Sequence, residues 1–261
     1  MLTQMKGLMA AMIFAGVALS APAHADELDT IKANGKLSIA LTGAYPPFSL
    51  VNEQNEVVGF DVSIGKEIAK RLGVEPEIVT TAWDGILAGL MAGKYDTIIG
   101  SMSITPKRME VVDFVGPYYS AGRAIFVGSD SAVMGMDDLK GKTVGVTLGE
   151  THEKWAREQS DMDWTLKTYK GLPELMLELK NGRIDALIID SIPGRVAITK
   201  DKQPIRELDL SDIEGASVGV GMAIRKGNPE LAAAMQKALD DMMADGTYEK
   251  ISVEWVGADI R

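Results

Sequence analysis

Residues 86–101 read ILAGLMAGKYDTIIGS and residues 175–190 read LMLELKNGRIDALIID. Each is an amphipathic helix, a Gly followed by Lys or Arg, an Asp two residues further on, and a short apolar strand. The glycines at 93 and 182 set a constant offset of 89 residues. Helix–glycine–strand units resemble one another throughout α/β proteins, which is one reading of the match. The other is two lobes built alike. On that reading Ser101 and Asp190 occupy equivalent places just past the carboxyl end of a strand, where ligands of open α/β sheets bind. A cleft with Ser101 on one wall and Asp190 on the other follows.

The rest of the chain keeps the same alternation of short strand-like and longer helical runs. Strands are expected at Lys36–Leu41, Val57–Phe60, Glu77–Thr80, Asp96–Gly100, Thr143–Thr147, Thr165–Tyr169 and Ala186–Ile189. Helices are expected at Val62–Leu72 with Gly73 as its cap, Trp83–Ala92, Thr151–Glu158, Pro173–Lys180, Pro229–Asp245 and Thr247–Trp255. This order implies an α/β architecture with mainly parallel sheets.

Composition removes whole classes of chemistry. The chain has no cysteine and two histidines, which excludes disulfides, thiolate nucleophiles and cysteine-held metals. A net charge of −10 argues against nucleic-acid partners and anionic membranes, whose binders carry a basic footprint. The N-terminus carries Lys6, an apolar run from about Leu8 to Leu19, and Ala23-His24-Ala25. That is the pattern of a secretory leader cleaved before Asp26, since about a dozen apolar residues are too few to span ~30 Å of hydrocarbon. Residues 26–261 then retain His152 as their only histidine, so no histidine-built metal site is expected. With no cysteine to carry a lipid, the mature chain is expected to be soluble and periplasmic.

Candidate site residues cluster at strand ends. After Ser101 comes MSITPKR: Thr105 suits a helix N-cap and Pro106 the first helical position. Lys107 and Arg108 then oppose the helix dipole, at ~0.3–1 kcal/mol each when exposed. A broken local rule at a strand end often marks a site. The Arg108 fork suits a carboxylate, unless it is merely a surface cation paired to Glu110 or Asp113. Gly149-Glu150-Thr151-His152 is a second strand-to-helix turn, with Thr151 suited to cap and Glu150 read as an exposed acid. Asp190 either caps the following helix or receives an ammonium group, and Asp61 is read as a helix cap. Tyr45 and Trp83 are core aromatics or a pair that clasps an apolar ligand stem.

YPPFS at Tyr45–Ser49, GFDV at Gly59–Val62, WDGILAGLMAGKYD from Trp83, SMSITPKR from Ser101 and VDFxxPYY from Val112 occur in this order. Together they resemble the family 3 extracellular solute-binding proteins, the periplasmic polar-amino-acid receptors of ABC importers. The resemblance implies a two-lobed type II periplasmic-binding-protein fold, with two mixed sheets flanked by helices and a ligand cleft between the lobes. Residues 26–121 plus 222–261 would form one lobe and 122–221 the other, with hinges near 119–124 and 216–222. By the same resemblance Arg108 grips a ligand α-carboxylate, assisted by Ser103 and Thr151. Asp190 receives the α-ammonium beside Ser101, and Tyr45 and Trp83 flank the ligand side chain. His152 stands where the family often reads that side chain, and Thr42 replaces an aspartate frequent in receptors for basic amino acids. Trp83 tolerates larger ligands such as opines. The implied protein is a monomeric carrier without cofactor or metal that hands a zwitterion to a membrane permease. Rival readings are an exported dehydratase on the same fold, with Glu150 or His152 as the general acid it would need, and a sensor that docks on a receptor.

Overall fold

The computed structural model describes residues 26–209 and 217–261. The leader expected at 1–25, and residue 216 of the expected second hinge, lie outside the described residues. The described chain opens on α1 (Glu27–Asn34) and β1 (Lys36–Leu41). A small antiparallel sheet follows, made of β2 (Ala44–Tyr45), β3 (Ser49–Val51) and β4 (Val57–Val58). Next come α2 (Phe60–Leu72), β5 (Glu75–Thr80), α3 (Trp83–Met91) and β6 (Thr97–Ser103). The single-turn α4 (Pro106–Met109) leads into the long β7 (Val112–Ala121), and β8 (Arg123–Gly128) begins after Gly122 alone. The middle of the chain then runs β9 (Thr143–Thr147), α5 (Thr151–Glu158), β10 (Thr165–Tyr169) and α6 (Leu172–Lys180). It continues with β11 (Ala186–Asp190), α7 (Ser191–Thr199) and β12 (Ile205–Glu207). Strand β13 (Val218–Arg225) and helices α8 (Pro229–Ala244) and α9 (Thr247–Val256) complete it.

Two five-stranded sheets result, ordered β5-β1-β6-β13-β7 and β10-β9-β11-β8-β12. The two similar sequence stretches, α3–β6 and α6–β11, place their strands third in each order, beside β1 and β9 respectively. The sheets are mixed, not mainly parallel. β1 pairs in parallel with β5 and β6, and β9 does so with β10 and β11. β13 runs antiparallel to β6 and β7, and β8 antiparallel to β11 and β12. The antiparallel members are the strands that carry the chain between the sheets, which no helical crossover reverses.

Packing explains why the central strands are apolar throughout. Thr97–Met102 of β6 is buried at every position, as expected of a strand covered on both faces. On one side, α2 presents Phe60, Ile64 and Ile68, spaced by four residues and all buried. Each such side chain contributes roughly 1.5–3 kcal/mol by leaving water. Gly65 lets that helix approach, since a Cβ there would lie 3.0 Å from Ile39 Cδ1. Gly73, in the left-handed region at φ 77°, ends α2 as expected.

Asp61 is not a helix cap. Gly59 holds the N-cap position of α2, without a side-chain bond, and Asp61 turns into the core. Its carboxylate accepts from Ser101 Oγ at 2.7 Å and from the Tyr118 hydroxyl at 2.8 Å. The Tyr118 oxygen in turn accepts from the Ser101 backbone N–H at 3.0 Å. This closed cycle holds Ser101 at φ 59°, a conformation that costs free energy for a residue with a Cβ. Burial pushes the Asp61 carboxyl up to about 7, against the two hydrogen bonds that pull it down.

A carboxyl raised in the fold holds its proton after the unfolded chain has lost it. Its contribution to stability is therefore full at low pH, declines from about pH 4 to 7, and is level above. Asp61→Asn removes that titration. Urea unfolding should show the wild type losing stability relative to Asp61→Asn between pH 4.5 and 7.5, on the order of 1.4 kcal/mol per unit of raised pKa. A pH-independent difference between the two proteins would contradict the buried, titrating carboxylate.

Candidate ligand-binding cleft

The two sheets meet at a cleft onto which the carboxyl ends of β1, β6, β9, β10 and β11 open. From the first sheet and its helices it takes Thr42, Ala44, Tyr45, Trp83, Gly100, Ser101, Ser103 and Arg108. The facing wall supplies Thr147, Glu150, Thr151, His152, Lys170, Gly171 and Asp190. All eight candidate site residues line it: Tyr45, Trp83, Ser101, Ser103, Arg108, Thr151, His152 and Asp190.

Arg108 owes its place to α4. Thr105 caps that turn, accepting from the Arg108 backbone N–H at 3.3 Å, and Pro106 follows as expected. The guanidinium then folds back: Nη1 donates to the Ser103 carbonyl at 2.9 Å, and Cζ lies 5.6 Å from the centre of the Trp83 ring. It is not the surface ion pair that the sequence allowed, because Asp113 pairs with Lys226 instead, at 3.4 Å. Burial lowers the Arg108 pKa, opposed first by Glu150 and then by Asp190, and a guanidinium stays charged regardless. Lys107 beside it is exposed.

Asp190 stands at the N-cap of α7, but its side chain does not cap. Its Oδ2 accepts from the Tyr45 hydroxyl at 2.6 Å, and its Oδ1 lies 3.1 Å from His152 Nε2. An ionised Asp190 requires that nitrogen to be the donor. Arg123 is its register partner on β8, stacked 4.4 Å above the Trp155 ring. Burial acts to raise the Asp190 carboxyl, but His152, Tyr45 and Arg123 outweigh it and hold it below the usual carboxylate range. Burial, then Asp190, pushes the Tyr45 phenol well above its ordinary value, so it remains a donor.

Other expectations shift on inspection. Ser101 lies within β6, not past its end, and its hydroxyl is engaged by Asp61. Ser103 offers its carbonyl to Arg108. Thr151 is the first residue of α5 while Glu150 takes the cap position, and neither side chain makes a capping bond. Glu150 is no exposed acid. Its Oε2 is buried without a hydrogen-bond partner among the described residues, as are Thr147 Oγ1 and His152 Nδ1. Burial pushes its carboxyl up to about 7, with His152 opposing and Asp190 adding to the rise. Thr147, Lys170 and Gly171 line the cleft without belonging to any sequence motif, although they too sit where a strand gives way to a helix, as Asp190 does.

The walls touch closely at two glycines. A Cβ on Gly171 would lie 2.7 Å from the Ala44 carbonyl oxygen and 2.9 Å from Ala44 Cβ. One on Gly149, itself at φ 82°, would lie 3.1 Å from Asp84 Cα. No group of three or more His, Asp or Glu residues is placed to hold a metal ion among the described residues. No helix among them is long and apolar enough to cross a membrane.

Comparison with known proteins gives the same picture. Residues 37–258 match the family profile of bacterial extracellular solute-binding proteins, family 3. The L-cystine-binding protein TcyJ of Escherichia coli (strain K12) is 35% identical over 256 residues, covering 97% of this chain and 95% of that protein. The ABC transporter arginine-binding protein 1 of Escherichia coli (strain K12) is 33% identical over 221 residues, 84% of this chain and 90% of that protein. Among solved structures, the ancestral amino-acid-binding protein AncCDT-1, a precursor of cyclohexadienyl dehydratase, superimposes with a TM-score of 0.81 at 36% identity. That match covers 88% of this chain and 99% of the other. With its two mixed sheets, its cleft and this similarity along nearly the whole described chain, the protein belongs to the family 3 bacterial extracellular solute-binding proteins.

Proposed function

We propose that the chain is a periplasmic receptor that captures one amino acid, or a close derivative, and delivers it to the permease of an ABC importer. The observation that carries this reading is the opposition of Arg108 and Asp190 across a single cleft. A zwitterion is the ligand that satisfies both: its carboxylate meets the Arg108 fork and its ammonium meets Asp190. Charge-assisted hydrogen bonds contribute about 1.5–3 kcal/mol each. Because the two partners belong to different walls, a ligand gains both sets of bonds only when the walls meet. That differential affinity is what drives closure.

The moving bodies are residues 26–121 with 222–261, and residues 122–221, turning near 119–124 and 216–222; Val218–Gly221 at the start of β13 pair with β6 and β7 and move with the first body. Trp83 and Tyr45 flank the ligand side chain, and the breadth of Trp83 admits opine-sized ligands. Ser101, Ser103 and Thr151 support the ligand's charged ends. The names of the relatives support an amino acid with a polar side chain, cystine and arginine among them. The chain works as a monomer without cofactor or metal, is exported by a leader removed before Asp26, and returns its ligand unchanged. Incubation with released ligand, followed by mass spectrometry, tests that last point: a converted product would place it with the dehydratases.

Two variants test the mechanism. Arg108→Ala should weaken binding of L-arginine, L-lysine, L-glutamine and L-cystine by at least tenfold in calorimetric titration, with circular dichroism unchanged. Undiminished binding would remove the basis of the reading. Gly171→Ala puts a Cβ against Ala44, so the cleft should stay open. Small-angle scattering should show no ligand-induced decrease in radius of gyration, together with a tenfold or greater loss of affinity and an unchanged melting temperature without ligand. Normal compaction would show that the Gly171–Ala44 approach does not limit closure.

A further inference from the structure

We propose that Glu150 is the specificity-determining residue of this cleft, selecting ligands whose side chain carries a nitrogen donor and rejecting those whose side chain ends in a carboxylate. The inference rests on the amino-acid reading above and adds the chemistry of the ligand side chain. Glu150 stands at the N-cap of α5 without capping it, and lines the cleft. Its Oε2 is buried with no hydrogen-bond partner among the described residues.

A buried carboxylate oxygen without a hydrogen-bond partner is costly, and folded proteins normally satisfy such groups; His152 and Arg108 favour the charged form of Glu150 but do not outweigh its burial. In a binding cleft the missing partner can be part of the ligand. The ligand's α-groups do not fill this role, because Asp190 stands ready for the ammonium and Arg108 for the carboxylate. Glu150 is therefore a second acid in a wall that already holds one. Two acids against one α-ammonium leave a demand for another donor, and an ammonium, guanidinium, imidazole or amide nitrogen supplies it. A side-chain carboxylate would meet like charge from both acids. Thr147 Oγ1 and His152 Nδ1, also buried without partners, flank the same turn and offer further polar contacts. Burial raises the Glu150 carboxyl to about 7, so a cationic side chain has the most to gain by restoring the charged form.

Calorimetric titration of the mature protein at pH 8 provides the test, with L-lysine, L-arginine, L-citrulline and L-glutamine as nitrogen-bearing probes. L-norleucine and L-glutamate are the nitrogen-free side chains. The wild type should bind at least one nitrogen-bearing probe ten times more tightly than either nitrogen-free one. Glu150→Gln should reduce that preference to less than threefold, with L-norleucine affinity altered less than threefold. Glu150→Asp, keeping the charge but shortening its reach, should fall between the two. The L-arginine to L-citrulline ratio tells a cation from a neutral donor. If L-norleucine or L-glutamate binds best, or if Glu150→Gln weakens all ligands equally, the role of Glu150 is overturned while the amino-acid receptor stands. If no probe binds the wild type, both readings fall together.

Discussion

A carboxylate removed from water is the constraint around which this cleft is arranged. Asp190 is largely withdrawn from water at the end of β11, its side chain 14% exposed, where an ionised group is sustained by donors brought to it. One donor, the Tyr45 hydroxyl, comes from the small sheet that follows β1; another, His152, comes from the first turn of α5. The register of β8 adds Arg123, itself supported by the Trp155 ring. Tyr45 rests on an aromatic stack, with Phe48 at 5.7 Å and Phe48 on Tyr119 at 5.1 Å between ring centres. The placement of one acid thus depends on the packing of both halves of the molecule.

The opposite wall is set by a second buried acid, and the two solve different problems. Asp61 has no cation acting on it among the described residues and keeps a raised pKa, so it acts through hydrogen bonds rather than charge. Those bonds hold Ser101 in a left-handed turn within β6, which shapes the floor from which the chain runs on through Ser103 to Arg108. Asp190 is held as an anion and Asp61 as a group that readily keeps its proton. Environment alone makes that distinction between two aspartates.

Much of this was legible in sequence because it is local. The strands β1, β9 and β10 and the helices α2, α5 and α6 follow from periodicity and caps to within a residue or two. So does the matching of α3–β6 with α6–β11. What escaped was decided at long range. Strands β7 and β13 contain Gly116, Pro117, Gly219 and Gly221, which read as breakers. In the fold, Gly221 is needed because a Cβ there would lie 2.9 Å from Phe114 Cδ1. The Asp61 carboxylate follows a local capping rule in sequence, yet its partners lie 40 and 57 residues away. Glu150 looked like a solvated acid because nothing adjacent announces the wall that covers it. Site residues are legible where a motif joins a strand end; Thr147, Lys170 and Gly171 sit at strand ends without a motif, and Glu150 is distinguished by burial alone.

Strand β13 lies between β6 and β7, with antiparallel neighbours on both sides. The first sheet is therefore divided until residues 218–225 are in place, although β5, β1 and β6 precede them by more than a hundred residues. A chain emerging from its amino end can assemble the second sheet from one continuous segment. The first has to wait for nearly the whole sequence. High contact order of this kind slows folding, and it fixes a sequence of events in which the half that begins first is finished last.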